Sequence, residues 1–192
     1  MVEEGRKKAE YRSSIRSKTL IRNALVSLMQ EKPFEKITIT DIVRRADINR
    51  GTFYAHFKDS REVLERIRSD ALSEIKDAIY SIPADVVIRN PEPLLLKLSE
   101  FLAEDGTYYK MLLSTSGIQE FLNSIKSITL EYLMNSDYAK KQLDRNAFVS
   151  RLDFLVSAVT GIYYDIVLGS VPETLGSAPS FICYMLKPYL PK

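Results

Sequence analysis

The sequence predicts an all-α protein, with an N-terminal three-helix helix-turn-helix domain joined to a larger helical body. Three observations predict it. Apolar residues recur at three- and four-residue steps along most of the chain, the repeat of a helix face. Pro and Gly punctuate these runs, and nothing alternates as a strand would. The stretch from Ile37 to Phe57 reads as two short helices joined by Asp47-Ile48-Asn49.

The elements follow in order. Residues 1–13 are polar and charged, without apolar periodicity, and read as a flexible basic arm. Its Arg6, Lys7, Lys8 and Arg12 suit a phosphate backbone or a minor groove. Ile15 to Gln30 is a helix with Leu20, Ile21, Ala24, Leu25 and Leu28 on one face. Pro33 ends it, since proline lacks an amide proton and restrains the residue before it. Thr38 or Thr40 caps the next helix, and Asp41 takes the acidic position of a capping box. Asn49 suits the cap of the second short helix, predicted over Arg50 to His56, with Phe53 and Phe57 in the core.

Ser60 to Ser81 is a long amphipathic helix ended by Pro83, with Glu62 and Arg66 spaced for a surface ion pair. Residues 82–92 read as a loop. Helices follow through Leu94 to Leu102, Tyr108 to Leu113, Ile118 to Met134 and Arg145 to Leu168, and from Ser177 through Leu190. Gly169 and Pro172 stop the most apolar of them. The expected domains are the arm (1–13), the helix-turn-helix domain (14–59) and the body (60–192).

Composition narrows the class. Apolar residues make up 45% and charged residues 27%, ordinary for a globular protein. No apolar run approaches the roughly 18 residues that span a bilayer, and the charged N-terminus is not a secretory signal. The single cysteine, Cys183, and single histidine, His56, leave neither a disulfide framework nor a zinc ligand set. A cytoplasmic protein without metal or cofactor is expected. Residues 1–70 hold 16 Lys and Arg against 11 Asp and Glu, whereas residues 71–192 hold 11 against 14. A basic head on an acidic body points to a polyanion as partner of the head; random scatter of charge is the alternative.

The head resembles the DNA-binding domain of the TetR family of bacterial transcriptional regulators. The resemblance rests on Thr38, Asp41-Ile42, Ala46-Asp47-Ile48-Asn49 and the run Thr52-Phe53-Tyr54-Ala55-His56-Phe57. Two positions depart from it. Asp47 stands where the family has glycine, which predicts a left-handed backbone there. Ser60 stands where the family has lysine. A helix entering the major groove reads bases from short donors and acceptors near its N-terminus. Arg50, Gly51, Thr52 and Tyr54 are therefore the candidate base readers, with Arg50 able to bond guanine bidentately. Thr38, Asn49, Tyr54, His56 and Lys58 are the candidate phosphate anchors. The alternatives are a packed His56, a Tyr54 that covers Phe57 and a solvated Arg50.

The body resembles, less specifically, the dihydroxyacetone kinase regulator-like subgroup of the same family, through YYKMLLS, EFLNSIKSITLEYL and TGIYYDIVLG. The resemblance implies a homodimer formed by the two terminal helices, with Phe154, Ala158, Gly161, Ile162, Ile182 and Met185 as candidate interface residues. It also implies an effector pocket, for which Tyr108, Met111, Phe121, Phe154 and Tyr163 are candidates. Plain core is the competing role of these aromatics. Cys183 reads as a buried thiol rather than a redox sensor. The expected partners are double-stranded DNA, a second copy of the chain, and a small-molecule effector or a protein partner, with no membrane. The expected function is a regulator, a repressor released by its effector; the alternative is a co-regulator whose body binds a metabolic enzyme subunit. No nucleophile–base pair or phosphate-cradling loop supports an enzyme.

Overall fold

A computed structural model describes the backbone of residues 2–191, and the side chains of these except for residues 2–12 and Thr107. It is helical throughout, with no strand among the described residues. The chain divides into two compact units, Met1–Asp70 and Ala71–Lys192.

In the first unit, α1 (Val2–Glu31) leads through a short 3-10 turn at Phe34–Lys36 to α2 (Ile39–Arg45) and α3 (Arg50–Tyr54). Helix α4 (Ser60–Tyr80) begins in this unit and continues into the second. The first helix is longer than its apolar periodicity predicts, and the expected arm continues it. Glu, Lys and Arg, frequent in this stretch of sequence, are good helix formers. The phosphate role expected of Arg6, Lys7, Lys8 and Arg12 falls on side chains outside the described residues.

The core of this unit consists of Ile21, Leu25, Ile42, Phe53, Val63, Leu64 and Ile67, all essentially inaccessible to solvent. Leu20, expected on the inner face, is exposed. Val63, Leu64 and Ile67 of the next helix complete this core, and the compact unit extends to Asp70.

The second unit follows α4 with α5 (Ala84–Arg89), α6 (Glu92–Glu104), α7 (Gly106–Leu113), α8 (Ile118–Met134), α9 (Asp137–Lys140), α10 (Arg145–Leu168) and α11 (Ala178–Leu186). Helix α10 packs against α7, α8 and α11, and α6 packs against α11. Their core joins Leu95, Leu155, Tyr163, Ile166, Ala178, Ile182 and Leu186. Gly169 closes α10 at φ 75°, a left-handed conformation suited to glycine.

Helices α5 and α9 lie where the sequence predicted connections. They stabilise each other: the Asp85 carboxylate accepts from the amides of Asp137 (3.2 Å) and Tyr138 (2.8 Å), while Val87 and Ile88 of α5 are buried. Such short helices are marginal alone and persist through tertiary partners.

Candidate nucleic-acid interface

The two short helices of the head are fixed at their N-termini by side chains. Thr38 caps α2: its hydroxyl accepts from the Asp41 amide at 3.2 Å, and the Asp41 carboxylate accepts from the Thr38 amide at 2.9 Å. The same carboxylate oxygen takes the Thr38 hydroxyl proton and the Lys32 ammonium, each at 2.8 Å. The hydrogen bond from Lys32, followed by those from Thr38, holds the Asp41 carboxyl well below its ordinary value of 3.8. The capping box expected from the spacing is complete.

The turn is fixed by Asp47 at φ 51°, the one non-glycine residue with positive φ among those described. The left-handed conformation anticipated there is present. The Ile48 amide donates to the Val43 carbonyl at 3.1 Å, closing the turn. Asn49 then caps α3: its Oδ1 accepts from the Thr52 amide at 2.7 Å and the Thr52 hydroxyl at 3.1 Å. A Cβ on Gly51 would lie 3.2 Å from that acceptor, so glycine keeps the cap uncrowded. Helix α3 stops at Tyr54, two residues earlier than expected; the amides of His56 and Phe57 bond back to the Phe53 carbonyl instead.

The predicted residues sort by what they leave available. Arg50 is exposed and donates from Nη2 to the Thr40 hydroxyl at 2.6 Å. Tyr54 is 52% exposed and sets its ring edge-on to Phe53, with centroids 5.6 Å apart. The amide nitrogen of Asn49 is not used by its cap. His56 is half-buried and Lys58 exposed. The hydroxyl protons of Thr38 and Thr52 are committed to Asp41 and Asn49, so these side chains offer outward only a methyl group and a lone pair.

The charges also sort. Lys32 pairs with Asp41 at 2.8 Å, Arg45 with Glu31 at 2.8 Å, and Arg22 and Arg66 with Asp70 at 2.9 and 3.1 Å. The Arg45 hydrogen bond lowers the Glu31 carboxyl from its ordinary value. Arg66 thus does not pair with Glu62, which accepts from the Lys58 amide at 2.7 Å, while Asp59 accepts from the Glu62 amide at 2.8 Å and caps α4. Arg44, Arg50, Lys58 and Arg61 are exposed and have no ion-pair partner among the described residues. Sequence reasoning missed Arg44, and treated Thr40 only as a possible cap.

In the body, a pocket of about 160 Å³ is lined by α4, α5, α6, α8, α10, the end of α11 and nearby residues. Tyr163 is in its wall. Tyr108, Met111, Phe121 and Phe154 are not. Met111 and Phe121 are buried core, Tyr108 packs edge-on to Tyr109 with centroids 5.0 Å apart, and Phe154 points outward at 61% exposure. Alternation of large apolar residues on α8 and α10 does not reveal from sequence which face meets a void.

Of the candidate interface residues, Phe154, Ala158 and Met185 are exposed and Gly161 is half-exposed. Ile182 is buried within the protomer core, and Ile162 packs against that core. Both contribute to internal packing, Ile182 fully buried and Ile162 half-buried. Tyr184 and Tyr189, not anticipated, are exposed beside Met185.

A family model for bacterial regulatory proteins, tetR family, matches residues 21–67. The chain is 26% identical over 173 residues to the HTH-type dhaKLM operon transcriptional activator DhaS of Lactococcus lactis subsp. lactis (strain IL1403), covering 86% of this chain and 88% of that one. It is 30% identical over 95 residues to the uncharacterized HTH-type transcriptional regulator YxbF of Bacillus subtilis (strain 168), covering 48% of this chain but only 25% of that protein. The solved structure of the dihydroxyacetone kinase operon activator DhaS superposes with a TM-score of 0.66 at 20% identity, covering 91% of this chain and 96% of that one. The capped helices, the exposed face of α3 and the match to the tetR-family model are those of a DNA-binding helix-turn-helix transcriptional regulator. The likeness to the tetR family lies in the N-terminal domain, over residues 21–67.

Proposed function

We propose that the protein binds a palindromic DNA operator as a homodimer, and that an effector in the body changes its affinity for that operator. The observation that carries the DNA contact is a capped, exposed α3 together with Arg44, Arg50, Lys58 and Arg61, exposed cations of the same unit without an ion-pair partner among the described residues. Arg50 and Tyr54 read bases, with Gly51 allowing close approach of the backbone and the Thr52 methyl facing the groove. Asn49, His56 and Lys58 hold phosphates. Thr38 positions α2 more than it contacts DNA, since its hydroxyl proton already serves Asp41.

Two copies associate through the exposed Phe154, Ala158, Gly161 and Met185 face. Pairing places two recognition helices on successive major grooves. The effector signal travels along α4, which gives Val63, Leu64 and Ile67 to the head and Ile75 and Ile79 to the pocket wall. An effector that prefers one placement of this helix shifts the DNA-competent population by that preference.

A mobility shift against the region upstream of its own gene, and against a selected DNA pool, tests the reading. Specific binding that weakens steeply with salt supports it. No specific binding in either would sink it. Repression is the first reading of the sign. Activation is favoured by the relative named as a transcriptional activator. A promoter–reporter fusion separates them: loss of the gene raises expression under repression and lowers it under activation.

A further inference from the structure

The pocket's walls specify a chemistry for the effector. Resting on the reading that the body senses a ligand, we propose that this ligand is an uncharged, largely hydrocarbon molecule about the size of a substituted benzene, and not a polyol or an ion. The pocket, partly open to solvent, offers about 160 Å³ of space, and no charged side chain lines it. Apolar cavities of this size stay dry and take up molecules such as benzene.

The few polar side chains in the wall are already satisfied. Thr129 and Thr160 donate to the carbonyls of Ile125 and Val156, each at 2.8 Å. Tyr163 donates to the Leu95 carbonyl at 2.7 Å and shares a 2.9 Å hydrogen bond with Ser99. An ion entering here gives up its hydration and meets no countercharge. A polyol exchanges several water hydrogen bonds for almost none. A hydrocarbon gives up nothing and leaves water. Among the lining hydroxyls, only that of Tyr164 has no protein partner among the described residues, so one hydroxyl or carbonyl on the ligand is tolerated. Ile75 and Ile79 put α4 in direct contact with the occupant.

Calorimetric titration of the full-length protein with four probes tests the assignment. Butylbenzene should bind saturably, one per chain. Phenylpropionate and phenylpropylammonium, of similar shape but charged, should bind at least about tenfold more weakly, and glycerol should show no uptake. Val159→Phe and Leu122→Phe, from two walls, should each lose butylbenzene binding while keeping the helical signal and the DNA affinity of the unliganded protein. Either ion binding as tightly as butylbenzene, or no saturable uptake of butylbenzene, overturns the proposal on the unaltered protein alone, whatever the variants do. Undiminished binding by both folded variants also overturns it, because the ligand then sits elsewhere. Saturation with butylbenzene that leaves DNA affinity unchanged overturns instead the sensing reading on which the assignment rests.

Discussion

The Arg50 guanidinium donates to the Thr40 hydroxyl at 2.6 Å, joining the first residue of α3 to the first turn of α2. An exposed arginine otherwise loses rotamer freedom when it meets a base, at a cost of about 2 kcal/mol. If Arg50 reads a base as proposed, Thr40 holds part of that order before DNA arrives and leaves the remaining guanidinium donors for a guanine edge.

Thr40→Val removes the acceptor while keeping the shape. It is expected to weaken binding to the selected operator by roughly three- to tenfold and to relax preference at the base pair Arg50 reads, with non-specific binding and its salt slope unchanged. Arg50→Ala is expected to cost ~1–3 kcal/mol at that base pair. Fluorescence anisotropy with the operator and single-base variants measures both. Unaltered base preference in Thr40→Val removes Thr40 from recognition.

The cap of α2 makes the head acid-sensitive. Asp41 titrates well below its ordinary 3.8, so its ionised form is favoured by folding. The stability it contributes is complete above that value and is lost as pH falls through the lower folded-state value. Glu31 shifts in the same direction through Arg45. Asp41→Asn should flatten the loss of urea midpoint below about pH 4, and Thr38→Ala should cost ~1 kcal/mol at neutral pH. An unchanged acid slope in Asp41→Asn would show that the carboxylate network does not govern it.

What the sequence disclosed follows from how locally each feature is determined. Thr38, Asp41, Asn49 and Asp47 announce caps and a turn through residues three apart or fewer, and all were legible. The end of α10 was legible for the same reason, since Gly169 closes it. Helices α5 and α9 were not, because their stability comes from Asp85 reaching across more than fifty residues. The pocket was not legible either. Whether Phe121 or Leu122 faces a void depends on how α8 packs against α10, and neighbours one residue apart point to different sides. Arg44 and Arg45 show the same limit for charge: only the fold decides that Arg45 meets Glu31 while Arg44 stays free.

Tyr163 makes the body sensitive to alkali. Burial pushes its hydroxyl up to about 12 from an ordinary 10.0, with the Cys183 thiol adding to the rise and the Ser99 hydrogen bond opposing it. The fold therefore favours the protonated phenol. Its contribution is intact below about pH 10 and is lost as pH rises from there through 12. Tyr109, buried near Glu74, shifts the same way. Tyr163→Phe leaves Ser99 and the Leu95 carbonyl without their partner and should cost ~1–3 kcal/mol at neutral pH, while reducing the alkaline loss. Denaturant unfolding at pH 8 and pH 11 measures both; an alkaline loss equal to that of the unaltered protein would exclude Tyr163 as its source.

The exposed apolar face makes the last prediction. Phe154, Ala158 and Gly161 follow at steps of four and three, so they share one side of α10. Phe154 also stacks edge-on with Tyr189, with centroids 6.2 Å apart. On α11, Tyr184 is 76% and Met185 55% exposed. Exposed apolar residues of this kind, on a regulator proposed to read a two-fold site, are the expected contact with a second copy. A chain carrying Phe154→Asp and Met185→Lys should keep its helical signal but raise the dimer dissociation constant by at least ~100-fold, or ~2.7 kcal/mol. Operator binding should fall with it, because single half-sites hold a monomer weakly. Ile182→Ala is the control. That residue is internal, so its loss should lower protomer stability by ~2–5 kcal/mol without a selective effect on association. Sedimentation of both proteins across a concentration series distinguishes the two roles. A double variant that sediments as the unaltered protein does would place the dimer contact on another surface.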